Sequence, residues 1–158
     1  MRLFKLMRGL MIGLVILLGL GYIILLTSNF MSKTPSYVGV KNGRLTPAYA
    51  AKPNNITTYE AGAYPKEAPL AYQSDMATAK ANLIGIVTAM PRTKLITDEG
   101  SYLHFTFQSR LLRFVDDVEF LFEDENKQIH FRAAARSGYS DLNVNQKRMA
   151  EIRAAFER

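Results

Sequence analysis

The chain has no cysteine among its 158 residues, and that absence closes several routes at once. Disulfide staples, lipid attachment through a cysteine, thiol catalysis and thiolate metal sites are all excluded, although the compartment stays open. Histidine is nearly as scarce: His104 and His130 are the two. No Ser-His-Asp order and no recognised metal-ligand spacing can be built around them, so the sequence assigns no metal and no cofactor. A lone histidine on a strand is more often a hydrogen-bonded group than a general base. Residues 27 to 72 lack any apolar period of 2 or 3.6 and hold five of the 6 prolines. They read as an extended linker with its later portion laid across the folded part, and its tyrosines at 37, 49, 59, 64 and 72 read as packing groups.

Charge is missing from residues 9 to 26 (GLMIGLVILLGLGYIILL). As a helix this run spans about 27 Å, close to a bilayer's hydrocarbon thickness. Arg2, Lys5 and Arg8 precede it, and Lys33 is the first charge after it, a bias that predicts a cytoplasmic N-terminus. The expected organisation is a basic cytoplasmic flank over 1–8, a transmembrane helix over 9–27, a linker over 28–72 and a folded domain over 73–158. A cleaved signal peptide is the competing reading. Thr27-Ser28-Asn29 is a poor cleavage site, and Ala48-Tyr49-Ala50 lies too far beyond the apolar run. The flank supplies three of the +6 net charge, and the remaining arginines alternate with acids rather than forming a basic stripe, which argues against nucleic acid.

Periodicity begins at Ser74. Met76, Leu83, Ile84, Val87 and Met90 fall on one helical stripe between Asp75 and Pro91. Three alternating stretches follow, carrying Leu103/Phe105/Phe107, Val118/Phe120/Phe122 and Ile129/Phe131/Ala133/Ala135, and Lys94 to Asp98 makes a fourth strand. Lys41-Asn42-Gly43-Arg44 predicts a turn, with a small hairpin around it. Asn145 reads as the cap of a last helix whose stripe is Met149, Ile152 and Phe156. The predicted fold class is α+β: a transmembrane helix, a linker, then a small antiparallel sheet of about four strands with both later helices packed on one face.

The opposite sheet face collects His104, Asp117, Glu119, His130, Arg132 and Arg136. The bland account is a solvated face laced with cross-strand ion pairs. The functional account makes Asp117, Glu119, Arg132 and Arg136, with Ser140 and Asp141 in the following loop, a site for an anionic group. Ser137 to Asn145 also has a structural reading, since Gly138 permits positive φ and Ser140 and Asp141 can bond nearby amides. Asp116 alternates onto the apolar side, where it would serve as a turn or cap acceptor or as partner of an arginine at the core edge. A catalytic reading would use Asp116, Asp117 and His104.

The pieces Phe114-Val115-Asp116-Asp117-Val118-Glu119-Phe120 and Gly138-Tyr139-Ser140-Asp141-Leu142, with Ile129-His130-Phe131-Arg132, Arg136, Asn145 and Arg148, resemble the domain-of-unknown-function 1499 family. The likeness covers about the last two thirds of the chain and extends loosely to Gly39. It implies a bacterial or plastid-type protein, often secreted or membrane-anchored, and it implies no activity. Two departures matter. Members often carry cysteines in the segment matching Pro47 to Thr58, and the family's Arg-Ser-Ala-Ser-Arg run stands here as Arg132-Ala133-Ala134-Ala135-Arg136. No serine nucleophile is available there. The expectation is therefore a single-pass inner-membrane protein with a periplasmic binding domain, its partners the bilayer through residues 9–27 and an envelope protein or anionic ligand. The alternative is an envelope hydrolase.

Overall fold

The computed structural model describes residues 2–46, 52–59 and 67–158. The Ala48-Tyr49-Ala50 triplet, Tyr49 and Tyr64 lie outside the described residues.

The uncharged run forms the middle of a single helix, α1 (Arg2–Phe30). Its side chains are exposed almost throughout, and only near its end does one residue, Asn29, become buried. Among the described residues it is the one helix long and apolar enough to cross a membrane. A helix greasy on every side, with no protein packed around it, is what hydrocarbon favours, because its backbone polar groups are satisfied internally.

The chain then crosses the domain before entering it. The Lys-Asn-Gly-Arg turn closes a hairpin of β1 (Val40–Lys41) and β2 (Arg44–Leu45), as expected. Asn42 and Gly43 carry φ of 53° and 72°, the paired left-handed conformation a tight hairpin turn requires. Two further short strands, β3 (Asn55–Thr57) and β4 (Leu70–Ala71), both pair with one edge of the main sheet. The linker expectation for 28–72 thus gives way at these points. Strands of two or three residues are too short to show an alternating pattern.

The remaining elements follow the periodicity. Helix α2 (Met76–Ala89) begins at Asp75, whose carboxylate accepts from the Thr78 amide at 2.8 Å. Four strands come next: β5 (Thr93–Glu99), β6 (Tyr102–Gln108), β7 (Val115–Glu123) and β8 (Gln128–Ala135). They pair antiparallel in chain order, giving a sheet ordered β3-β8-β7-β6-β5 with β4 also on β8. The sheet has six strands, more than the four expected, because β3 and β4 extend it. Helix α3 (Val144–Phe156) ends the fold.

Both later helices cover the apolar face. Ala79, Leu83 and Val87 of α2 and Met149 and Ile152 of α3 pack on Leu103, Phe105, Val118, Phe120, Ile129 and Phe131. Each large side chain buried this way stabilises the fold by about 1.5–3 kcal/mol before entropy. The start of α3 differs from expectation. Asn145 lies inside the helix, and Asp141 does the capping: its carboxylate accepts from the Asn143 and Asn145 amides at 3.1 and 3.0 Å. Asp141 can reach both because Leu142 and Asn143 turn the chain at φ of 55° and 62°.

Candidate functional site

Strand alternation puts His104, Asp117, Glu119 and Arg132 on one face, as the sequence predicts, but that face is not solvated. His104 is 2% exposed, and Asp117, Glu119 and Arg132 are 0%. The cover is the strap from Ser32 to Thr46, the segment between α1 and the rest of the domain. It seals the face largely through its backbone. Arg132 donates to the Tyr37 and Thr46 carbonyls at 3.1 and 2.7 Å, and its guanidinium lies 4.6 Å from the centre of the Tyr37 ring. Glu119, opposite Arg132 in the register, forms an ion pair with it. The same carboxylate accepts from the Gly39 amide at 2.6 Å and the Tyr102 hydroxyl at 2.7 Å.

A second cluster centres on Asp117. Arg136 grips it with two bonds of 2.7 and 2.8 Å and donates onward to the Ser32 carbonyl at 2.7 Å. His104 Nε2 stands 2.8 Å from the same carboxylate. Burial pushes the Asp117 carboxyl up, but the hydrogen bonds and charges of Arg136 and His104 outweigh it and hold it below its usual range. An ionised carboxylate only accepts, so His104 donates through Nε2. Burial pulls Arg132 down to about 10, which leaves it charged at neutral pH. The four candidate ligand-binding residues Asp117, Glu119, Arg132 and Arg136 are brought together, but they bond to one another, to Tyr102 and His104, and to the strap, out of reach of solvent.

The other candidates are dispersed. Ser140 and Asp141 shape the turn before α3: Ser140 accepts from the Leu142 amide at 3.2 Å. His130 sits apart, half-buried, stacked on Tyr59 at 4.4 Å and 3.1 Å from the Thr58 hydroxyl. Asp116 points to the opposite side of the sheet from His104 and Asp117, so the catalytic trio Asp116, Asp117 and His104 does not share a site. Its partner is an arginine at the core edge, as its position suggested: Arg148 of α3 lies 2.9 Å away and stacks 4.2 Å from the Phe107 ring centre.

Around Asp116 the surface is concave. A cleft of about 380 Å³ is walled by Arg92, Arg110, Lys147 and Arg148, with Asp116 and Glu151 as its acids. Four basic residues thus face two acidic ones. Burial raises the Asp116 carboxyl, and Arg148 offsets only part of that. Arg92, Arg110 and Lys147 were not read as site residues from the sequence, since they come from two separate loops and α3. The available signal was Arg148, which adjoins the Met149–Ile152 stripe one helical turn after the α3 start. A wider concavity of about 990 Å³ borders the β1–β2 hairpin, but Thr46 and Tyr59 on its wall are where the described chain stops. Among the described residues, no group of three His, Asp or Glu side chains is placed to hold a metal ion.

Fold and site together define an α+β domain, behind a long apolar helix, whose polar sheet face is closed by ion pairs clamped to the strap. The chain belongs to the family described as protein of unknown function (DUF1499), whose model matches residues 45–156. That match includes both ion-pair clusters and the Asp116 cleft, and it begins after Gly39–Arg44, where the likeness was looser. No curated protein matches the chain.

Proposed function

We propose that the protein is a single-pass inner-membrane binding module, N-terminus cytoplasmic and domain periplasmic, that takes an anionic envelope ligand at the Asp116 cleft. The observation that carries the reading is the convergence of Arg92, Arg110 and Lys147, beside the Asp116–Arg148 ion pair, on one concave site. The buried face points the same way, because ion-paired groups sealed beneath the strap meet no ligand and perform no proton transfer at an accessible surface. The orientation is supported by the basic flank Arg2, Lys5 and Arg8. The hydrolase reading keeps the raised carboxyl of Asp116 in a cleft that also holds Glu151, and it has no histidine among the residues that line that cleft.

Titration of the full chain in detergent with glycerol phosphate, a soluble anionic headgroup stand-in, should show saturable binding. A charge-assisted hydrogen bond contributes about 1.5–3 kcal/mol, so Arg110→Ala or Lys147→Ala should weaken binding about tenfold or more. No binding, or binding indifferent to both changes, rejects the cleft. Orientation has its own check. A reporter enzyme fused after Arg158 should be active only in the periplasm, and cytoplasmic activity would reverse the topology.

A further inference from the structure

We infer that two loops beside the α1 exit, Ser109–Phe114 and Ser137–Asn143, form a membrane-contact surface that rests in the interface of an anionic bilayer. The inference rests on the anchored reading of α1 and adds where the domain sits relative to the membrane.

Sheet topology brings the two loops together. The β6–β7 and β8–α3 connections leave the sheet at one end, where the Arg136 amide donates to the Val115 carbonyl at 2.9 Å. Helix α1 arrives at this same end. Asn29 donates to the Leu112 carbonyl at 2.7 Å, and Tyr22 donates through its hydroxyl to the Leu111 carbonyl at 3.1 Å. The second contact sets a depth. Tyr22 lies four residues, about 6 Å of helix rise, before Leu26, the last residue of the apolar run, and its hydroxyl reaches Leu111, so Leu111 lies near the outer end of that run. A segment at that level occupies the headgroup and upper acyl region, where interfacial elements bury themselves by about 5–10 Å.

What the loops present fits that medium. Leu111 is 71% exposed, Tyr139 70% and Leu142 81%, and they project from one end of the domain. They are held outward by structure. Ser109 and Phe114 close their loop with reciprocal bonds: the Ser109 amide donates to the Phe114 carbonyl and the Phe114 amide donates to the Ser109 hydroxyl oxygen, each at 2.9 Å. Leu142 takes a φ of 55°, a left-handed conformation that costs a branched apolar residue about 1–2 kcal/mol and yields no burial within the protein. Charge is divided along the same axis. Lys33, Arg110 and Arg113 are exposed at the α1 end, whereas Glu99 and Glu123 at the strand ends and Asp124 and Glu125 in the β7–β8 turn, with Lys127 on Asp124, leave the far end net acidic. Basic residues flanking apolar tips suit anionic headgroups, and an acidic far end is repelled by them.

The chain has no tryptophan, so a single introduced one reports its own surroundings. The full chain is reconstituted into bilayers containing anionic lipid with bromine on the upper acyl chain. Leu111→Trp, Tyr139→Trp and Leu142→Trp should be quenched at least twofold with blue-shifted emission, and Glu125→Trp should not. Raising the anionic fraction should deepen quenching at the loop positions. Ile24→Trp, inside α1, separates the two levels of the argument. If it is quenched while the loop tryptophans behave like Glu125→Trp, the domain stands off the membrane and the inference fails alone. If it is not quenched, the anchored reading fails and takes the inference with it. Agreement among three exposed loop positions guards against a single variant that perturbs its loop.

Discussion

Arg132→Ala should destabilise the fold by roughly 3–5 kcal/mol, the usual consequence of removing one partner from a buried ion pair. The expectation follows from what remains. Glu119 stays fully buried, still bonded to Gly39 and Tyr102 but with no cation beside it, and the Tyr37 and Thr46 carbonyls lose their donor. Most domains are stable by only about 5–15 kcal/mol, so a large part of the margin is removed. Chemical denaturation of the full chain in detergent measures it. The double change Arg132→Met with Glu119→Leu should recover much of the loss, because an apolar pair carries no desolvated charge. A loss under about 1 kcal/mol for Arg132→Ala would mean that water reaches this face and the strap is not sealed.

Asp117→Ala comes next, and it carries a pH signature. The change strands Arg136 and His104 together, and it should also cost about 3–5 kcal/mol at neutral pH. The native Asp117 carboxyl titrates below its unfolded value, because Arg136 and His104 favour its charged form. A depressed acid contributes stability that is fully present above the unfolded value near pH 4 and is lost as pH falls through the lower folded value. The gap between wild type and Asp117→Ala should therefore be wide at neutral pH and narrow in acid. A gap that stays constant down to pH 2 would assign the loss to packing rather than to the ion pair.

Both expectations make the charged face structural, which changes what mutation of these residues would report. Loss of a binding partner after Arg132→Ala or Arg136→Ala would follow from release of the strap as readily as from loss of a contact. The cleft residues Arg110 and Lys147 are exposed, and their replacement tests binding without dismantling the fold.

Much of the fold was legible because its elements repeat. Alternation across β6, β7 and β8 sorted every residue onto its correct face, and it set Asp116 apart from Asp117 before any contact was known. The α2 stripe and the Asn-Gly turn were equally plain. The α3 cap differs from expectation because Asn145 and Asp141 are both good acceptors, and the choice between them depends on a left-handed pair of which Asn143 favours that conformation but Leu142 does not announce it. Edge strands β3 and β4 were missed for want of length.

By itself the sequence determined the family, the apolar helix, the α+β class and the partition of charged and greasy side chains, all of which are encoded in side-chain chemistry and its period. Only the tertiary structure decided that the charged face is buried, that Asp116 opens into a basic cleft and that α1 lies against the Ser109–Phe114 loop. The reason is physical. The strap meets Arg132, Arg136 and Glu119 mainly through carbonyls and an amide, groups that nearly all residue types possess, so apart from Tyr37 on Arg132 little in its sequence marks the groups it binds.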